Sequence, residues 1–446
     1  MKTQRRILSF MLLVTLVFTS AFISQAVTNV YANEIQTFNQ SVYVQVNGQE
    51  IEFEDQRPVI VEGRTLVPVR GVFEFIGFGV EWNAENRQAT LTSDDYEVIL
   101  TIGSAEFTTN GTIYTLDVPA QIINGRTMLP IRAVLESVGH YVSWDSRNRA
   151  VLVSSTPITY ITIQGEQFSS AITKLTLDEI TGEEVLLLAE FTKLRELMVM
   201  SDQISDLSAL AGLTNLEALH LISRWLEDLS PLSDLTNLKY LSVWSNRILD
   251  LTPLERLVNL EALMLIGNEI NDLTPIAELT NLIYLVLVHN QIVDIEFLSG
   301  LTNLSALVLQ ANKISDLRAL SNLTNLTSLD LSRNLEIRDL APLAGLVNLN
   351  ELNLEHNQIS NLSPLSGLNR LTGLTLRHNQ ISDLRPLAEL NRLTSLCLAN
   401  NQISDLSPLA NLTNLRFLDL RDNPEITDWS PVENIRGVQG RPHEDI

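Results

Sequence analysis

At 446 residues the chain has room for two or three domains, and a hydrophobic content of 45% is enough for ordered cores. A formal net charge of −23 repels phosphate backbones and anionic lipid, which argues against nucleic-acid and membrane-surface partners. The single cysteine, Cys397, excludes an intramolecular disulfide.

Residues 1–32 read as a signal peptide. Lys2, Arg5 and Arg6 precede the apolar run Ile7–Phe18, and Val30-Tyr31-Ala32 offers a small-residue cleavage site, with Ser24-Gln25-Ala26 as a second. Retention as an anchor is the alternative. No second apolar run of spanning length follows, so no membrane span is expected after signal removal, and a secreted or cell-envelope location is implied.

Residues 40–153 carry a duplication. Gly63-Arg64-Thr65-Leu66-Val67-Pro68-Val69-Arg70 recurs 62 residues later as Gly125-Arg126-Thr127-Met128-Leu129-Pro130-Ile131-Arg132. Val69, Val72, Phe73 and Ile76, and then Ile131, Val134, Leu135 and Val138, fall at helical spacing, with Gly77 and Gly139 as stops. Val80-x-Trp82 and Val142-x-Trp144 read as strands with a buried aromatic, and Asn47-Gly48 and Asn110-Gly111 as hairpin turns. The expected fold is an α+β module of two similar halves. The Gly-Arg-Thr-x-x-Pro-x-Arg phrase resembles the stalk-like N-terminal domain of bacterial copper amine oxidases, which implies a non-catalytic module without the copper site. Arg64, Arg70, Arg126 and Arg132 are expected to pair with carboxylates such as Glu74 and Glu136. Binding of an anionic wall polymer is the other reading of the four arginines.

Residues 154–171 form a linker with a possible strand at Tyr160–Ile163, and residues 172–193 an irregular capping coil. In that coil Thr181-Gly-Glu-Glu184 has the capping-box pattern. Residues 194–432 then repeat one phrase eleven times, starting at Leu194, Leu216, Leu238, Leu260, Leu282, Leu304, Leu326, Leu349, Leu371, Leu393 and Leu415. The step is 22 residues except for one of 23, near Leu335. Leu at positions 1, 4 and 6, Asn at 9 and an apolar residue at 11 make the leucine-rich-repeat pattern. Alternation turns positions 4 and 6 inward and 3, 5 and 7 outward, so the expected fold is a solenoid. It has a parallel β-sheet on its concave face and short turns or 3-10 segments on its convex face.

Asn246, Asn268, Asn290, Asn312, Asn334, Asn357, Asn379, Asn401 and Asn423 should form an internal hydrogen-bond ladder. Arg224 interrupts it, and distortion is expected at Arg224-Trp225. Asp-Leu-x-Pro-Leu (Asp250 to Leu254, Asp405 to Leu409) closes each coil. Residues 433–446 read as a tail without a folded cap, disordered from Gly437 on.

The outward positions of the early copies are apolar: Met198, Met200, Ile222, Tyr240, Trp244, Met264, Ile266, Tyr284, Val286 and Val288. An exposed strip of this kind marks a contact surface, and a protein ligand is the expected partner. Self-contact, or contact with the N-terminal module, is the competing use. Later copies present charged and polar residues, among them Asp330, Arg333, Glu351, Glu355, His356, Arg377, His378, Asp419 and Arg421. Cys397, at position 5, is expected to be a small surface residue. His356 and His378 occupy equal positions on adjacent coils near Glu355, but without a third well-placed ligand they are not taken as a metal site. No catalytic motif, cofactor or metal is expected.

The repeats, with Leu-Thr-Asn-Leu and Ile-x-Asp-Leu-x-Pro-Leu, resemble those of bacterial internalins over residues 172–432. The resemblance implies an exported protein that binds a protein partner through the concave face. A cell-envelope protein holding glycan or wall polymer through its N-terminal module is the alternative.

Overall fold

The computed structural model describes residues 42–61, 63–244 and 247–441. The signal-peptide reading of 1–32, the ladder position Asn246 and residues 442–446 lie outside them. The described chain forms two compact units, one of residues 42–176 and 186–197 and the other of residues 177–185 and 198–441. The coil read as a cap, 172–193, is therefore divided between the two.

The first unit holds the duplicated module. In chain order its elements are β1 (Tyr43–Val46), β2 (Gln49–Glu50), β3 (Val59–Val61), β4 (Arg64–Pro68), α1 (Val69–Phe75), β5 (Gly79–Asn83), β6 (Gln88–Thr92) and β7 (Glu97–Thr101). The second half supplies β8 (Glu106–Thr109), β9 (Thr112–Thr115), β10 (Gln121–Ile123), β11 (Arg126–Pro130), α2 (Ile131–Ser137), β12 (Tyr141–Asp145) and β13 (Ala150–Ser154). Asn47-Gly48 and Asn110-Gly111 turn the hairpins with positive φ at both residues, the geometry that favours these two residue types.

The halves are not independent. The hairpin β8-β9 of the second half extends β5-β6-β7 of the first, and the hairpin β1-β2 of the first extends β12-β13 of the second. The two Gly-Arg-Thr strands meet antiparallel, with Leu129 opposite Val67. Val67, Val72, Phe73, Leu129, Val134 and Leu135 are all fully buried in one shared core. Burial of each such side chain contributes about 1.5–3 kcal/mol.

Trp82 and Trp144 depart from expectation: they are 42% and 38% exposed rather than buried. Both stand on edge strands, β5 and β12, and the core is filled instead from inner strands by residues such as Leu91, Leu100 and Val153. Arg70 and Arg132 do reach Glu74 and Glu136 one helical turn on, at 3.4 and 4.0 Å, while Arg64 and Arg126 pair with Asp117 and Asp55. All these pairs are well exposed, so each contributes little to stability. Beyond the module, Tyr160–Ile163 is β14, paired antiparallel with β15 (Glu166–Ser169).

The leucine-rich repeats build a thirteen-stranded sheet, from β16 (Lys174–Asp178) to β28 (Val438–Gln439), with one strand for each of the eleven copies between them. Leu260, Leu263, Leu265, Ile270, Leu273, Ile276 and Leu279 of one coil are each at most 1% exposed. The Thr181 hydroxyl accepts the Glu184 N–H at 3.2 Å, and the Glu184 carboxylate accepts the Thr181 N–H at 3.0 Å, the reciprocal bonds of a capping box at the start of α3 (Gly182–Leu186). The aspartate before a convex 3-10 turn, replaced by Asn361 in one coil, accepts an N–H from two residues on: Asp250 from Thr252 at 2.8 Å, Asp405 from Ser407 at 2.8 Å and Asn361 from Ser363 at 3.0 Å.

The asparagine ladder is present. Asn379 Nδ2 donates to the Leu354 and Leu376 carbonyls at 3.0 and 3.1 Å, and its Oδ1 accepts the Ile359 N–H at 3.0 Å. Asn268, Asn290, Asn312, Asn334, Asn401 and Asn423 accept an N–H from the preceding coil in the same way. Asn357 donates normally, but its Oδ1 is buried without a partner. It follows the 23-residue coil, whose extra residue, Leu335, sits exposed in the left-handed region at φ 63°.

Where position 9 is not asparagine, a serine one residue earlier takes over. The hydroxyls of Ser201 and Ser223 donate to the carbonyls of Ile180 and Ile204. Arg224 points outward to Asp202 at 3.2 Å, and Trp225 is exposed beneath the Arg247 guanidinium.

A second ladder runs along the outside. Asn237, Asn259, Asn281, Asn303 and Asn325 each donate to a carbonyl of the preceding coil at 2.8–2.9 Å. The asparagine of the Leu-Thr-Asn-Leu phrase thus has a structural job.

The chain end also differs from expectation. Val438 pairs parallel with Leu418 and Gln439 with Asp419, so a further strand follows the last copy. Gly440, at φ 97°, lets this strand leave where a side chain would strike the Arg421 backbone.

Candidate functional site

Parallel pairing in register sets the outward residues of successive coils in rows. Ser242 lies beside Met264, Met264 beside Val286, and Val286 beside Val308. Ala262, Met264, Ile266, Val286, Val288 and Val308 form an apolar cluster of their own, with Tyr240, Trp244 and Tyr284 packed against it. The sequence implied an open strip. Met264, Ile266, Val286 and Val288 are instead buried, at 3%, 9%, 1% and 0% exposure. Alternation along a strand gives the face a side chain takes but not its depth, and strands about 4.8 Å apart press neighbouring rows together. Met198, Met200, Ile222, Tyr240, Trp244 and Tyr284 are the half-exposed members of the strip. Tyr240 Oη donates to Glu261 at 3.2 Å, which gives the border of the cluster a polar edge.

Further along the same face the rows turn polar and are closely bonded. Asp330 is buried, accepting from the Ser332 N–H and hydroxyl at 2.8 and 2.6 Å and from Asn353 Nδ2 at 2.9 Å; burial pushes its carboxyl above the usual range. Burial likewise raises the Glu351 carboxyl, which accepts from the Thr372 hydroxyl at 2.8 Å. Asp419 is fully buried between Arg377 and Arg421, each at 2.8 Å. Burial there pushes the carboxyl up, but the Arg421 hydrogen bonds and the two guanidinium charges outweigh it and hold Asp419 below its ordinary value. Cys397 is buried rather than at the surface, and burial pushes its thiol up, away from the reactive thiolate.

At position 8, just past the strand, Gly267, His289, Ala311, Arg333, His356, His378, Asn400 and Asp422 all have positive φ. This row was not recognised from the sequence, although Gly, Asn, Asp and His are the residue types that tolerate that conformation. It brings the His356 and His378 rings into parallel stacking with centroids 4.0 Å apart. Glu355 Oε1 lies 3.4 Å from His356 Nε2.

Comparison with known proteins follows the same division of the chain. Residues 45–153 match the copper amine oxidase N-terminal domain family, and overlapping stretches over 280–389 and a further one over 391–434 match the leucine-rich-repeat family. The crystal structure of an internalin (inlF) from Listeria monocytogenes is 29% identical, with a TM-score of 0.55, over 63% of this chain and 91% of that one. A leucine-rich-repeat protein of Leptospira interrogans is 24% identical with the same TM-score, over 61% of this chain and 79% of its own, a likeness of fold. A protease inhibitor of Brevibacillus choshinensis is 34% identical over 95 residues. The matched stretch is 21% of this chain and only 28% of that relative's length.

Proposed function

Because the chain is an internalin-like leucine-rich-repeat protein with an N-terminal domain of the copper amine oxidase N-terminal type, we propose that it is an exported, non-catalytic binding protein that holds a protein partner on its concave face. The observation that carries this reading is the apolar cluster bordered by half-exposed Tyr240, Trp244 and Tyr284 and continuing into a charged flank. Buried apolar floor, aromatic rim and nearby charge make up the composition of a protein-binding hot spot. Export rests on the basic and apolar pattern of residues 1–32. Among the described residues no helix is long and apolar enough to cross a membrane.

The purified chain panned against a displayed protein library should select binders that Trp244→Ala and Tyr284→Ala each weaken by about tenfold or more, with thermal stability nearly unchanged. Binders that hold both variants as tightly as the parent would place the site elsewhere. A second reading, a wall-polymer or glycan site on the N-terminal module, is favoured by the exposed rings of Trp82, Tyr141 and Trp144. Isolated cell wall in the same panning discriminates: retention lost in Trp82→Ala and Trp144→Ala, but kept in Trp244→Ala, supports that reading, and the reverse pattern removes it.

A further inference from the structure

We propose that Glu355, His356 and His378 bind one divalent cation of the zinc class at the edge of the concave face. Their ligand atoms all lie within 4.8 Å of one another, and Glu355 supplies the third ligand that the two histidines lack by themselves. Zinc bonds of about 2.0–2.2 Å in a tetrahedron place ligand atoms about 3.3–3.6 Å apart. The Glu355–His356 pair already has that separation, at 3.4 Å. The two imidazoles stack nearly parallel, 7° between planes, so each ring must tilt out of the stack for their in-plane lone pairs to meet at a shared ion.

The backbone beneath is held in place. His356 N–H donates to the Arg377 carbonyl and His378 N–H to the Ala399 carbonyl, both at 2.9 Å, and the two residues share a φ of 55° and 53°. Of the neighbouring cations, Arg377 is turned onto Asp419. Two imidazoles and one carboxylate select a borderline cation over Ca2+ or Mg2+, which prefer all-oxygen shells. Three protein ligands leave a fourth position to water or to a side chain of whatever docks on the concave face. Tolerance of positive φ alone explains a histidine at position 8, as at His289, whose row neighbours are Gly267 and Ala311. A stacked pair with an adjoining carboxylate goes beyond that.

Equilibrium dialysis of the full chain, without a histidine tag, against ZnCl2 in excess Mg2+ tests the site. One zinc per chain is expected. His356→Ala and His378→Ala should each weaken binding more than ~10-fold, since loss of even an outer partner of a metal ligand costs about 10–100-fold. Glu355→Gln should weaken it less, and His289→Ala should bind as the parent does. Melting curves of the variants separate ligand loss from unfolding. Zinc binding unchanged in folded His378→Ala, equal loss in His289→Ala, displacement of zinc by Mg2+, or no zinc bound by the parent would each overturn the assignment.

Discussion

A ladder asparagine such as Asn379 uses its amide in three directions: two carbonyls receive its N–H groups and one buried N–H is accepted by its oxygen. Aspartate lacks the donors and leucine lacks both functions, which is why the residue recurs. Asp419 shows the opposite economy, a buried charge kept ionised by two arginines. Its value in the folded chain lies below that in the unfolded chain, so its contribution is fully present above about pH 4 and is lost as pH falls through the folded value. Asp419→Asn should therefore cost about 1–2 kcal/mol at pH 7, the size expected for charged hydrogen bonds whose donors reach water. Urea unfolding of parent and variant should converge as the pH is lowered below about 4. A gap that stays constant with pH would show that the charge is not what stabilises this place.

A single coil is the smallest unit that can be altered and compared with its neighbours, and the 23-residue coil is a natural experiment. Leu335 costs the chain a left-handed, exposed leucine and leaves Asn357 Oδ1 unpaired. Deleting Leu335 restores the 22-residue step and brings Ile337 N–H back within reach of Asn357. A gain of about 1–3 kcal/mol is expected from the relieved backbone and the satisfied oxygen, read as a higher urea midpoint at unchanged slope. A lower midpoint would show that neighbouring coils are built around the extra residue. The coil was the most legible element of the chain, because leucines at fixed short spacing report directly which residues share an interior. Depth was not legible: the same alternation describes half-exposed Met198 and buried Val286. The serines that replace the ladder residue at 201 and 223 were missed because they stand one position out of phase.

For the molecule as a whole, the two kinds of repetition differ in what they reveal. The 22-residue repeat maps onto strands that pair with their sequence neighbours, so order along the chain is order in space. The 62-residue duplication maps onto an exchange in which each half completes the other's sheet, and no local pattern signals that pairing. The candidate concave site was legible as a face; its border and its stacked histidines required the fold, because positive φ at position 8 aims those rings.

The parallel pairing of β1 with β13, Tyr43 beside Ala150 through Val46 beside Val153, sets a timetable. Synthesis delivers the first strand long before its partner exists, so the module closes only after residue 153 has emerged. A chain stalled or trimmed short of that point presents the Tyr43–Val46 edge to whatever strand it meets first.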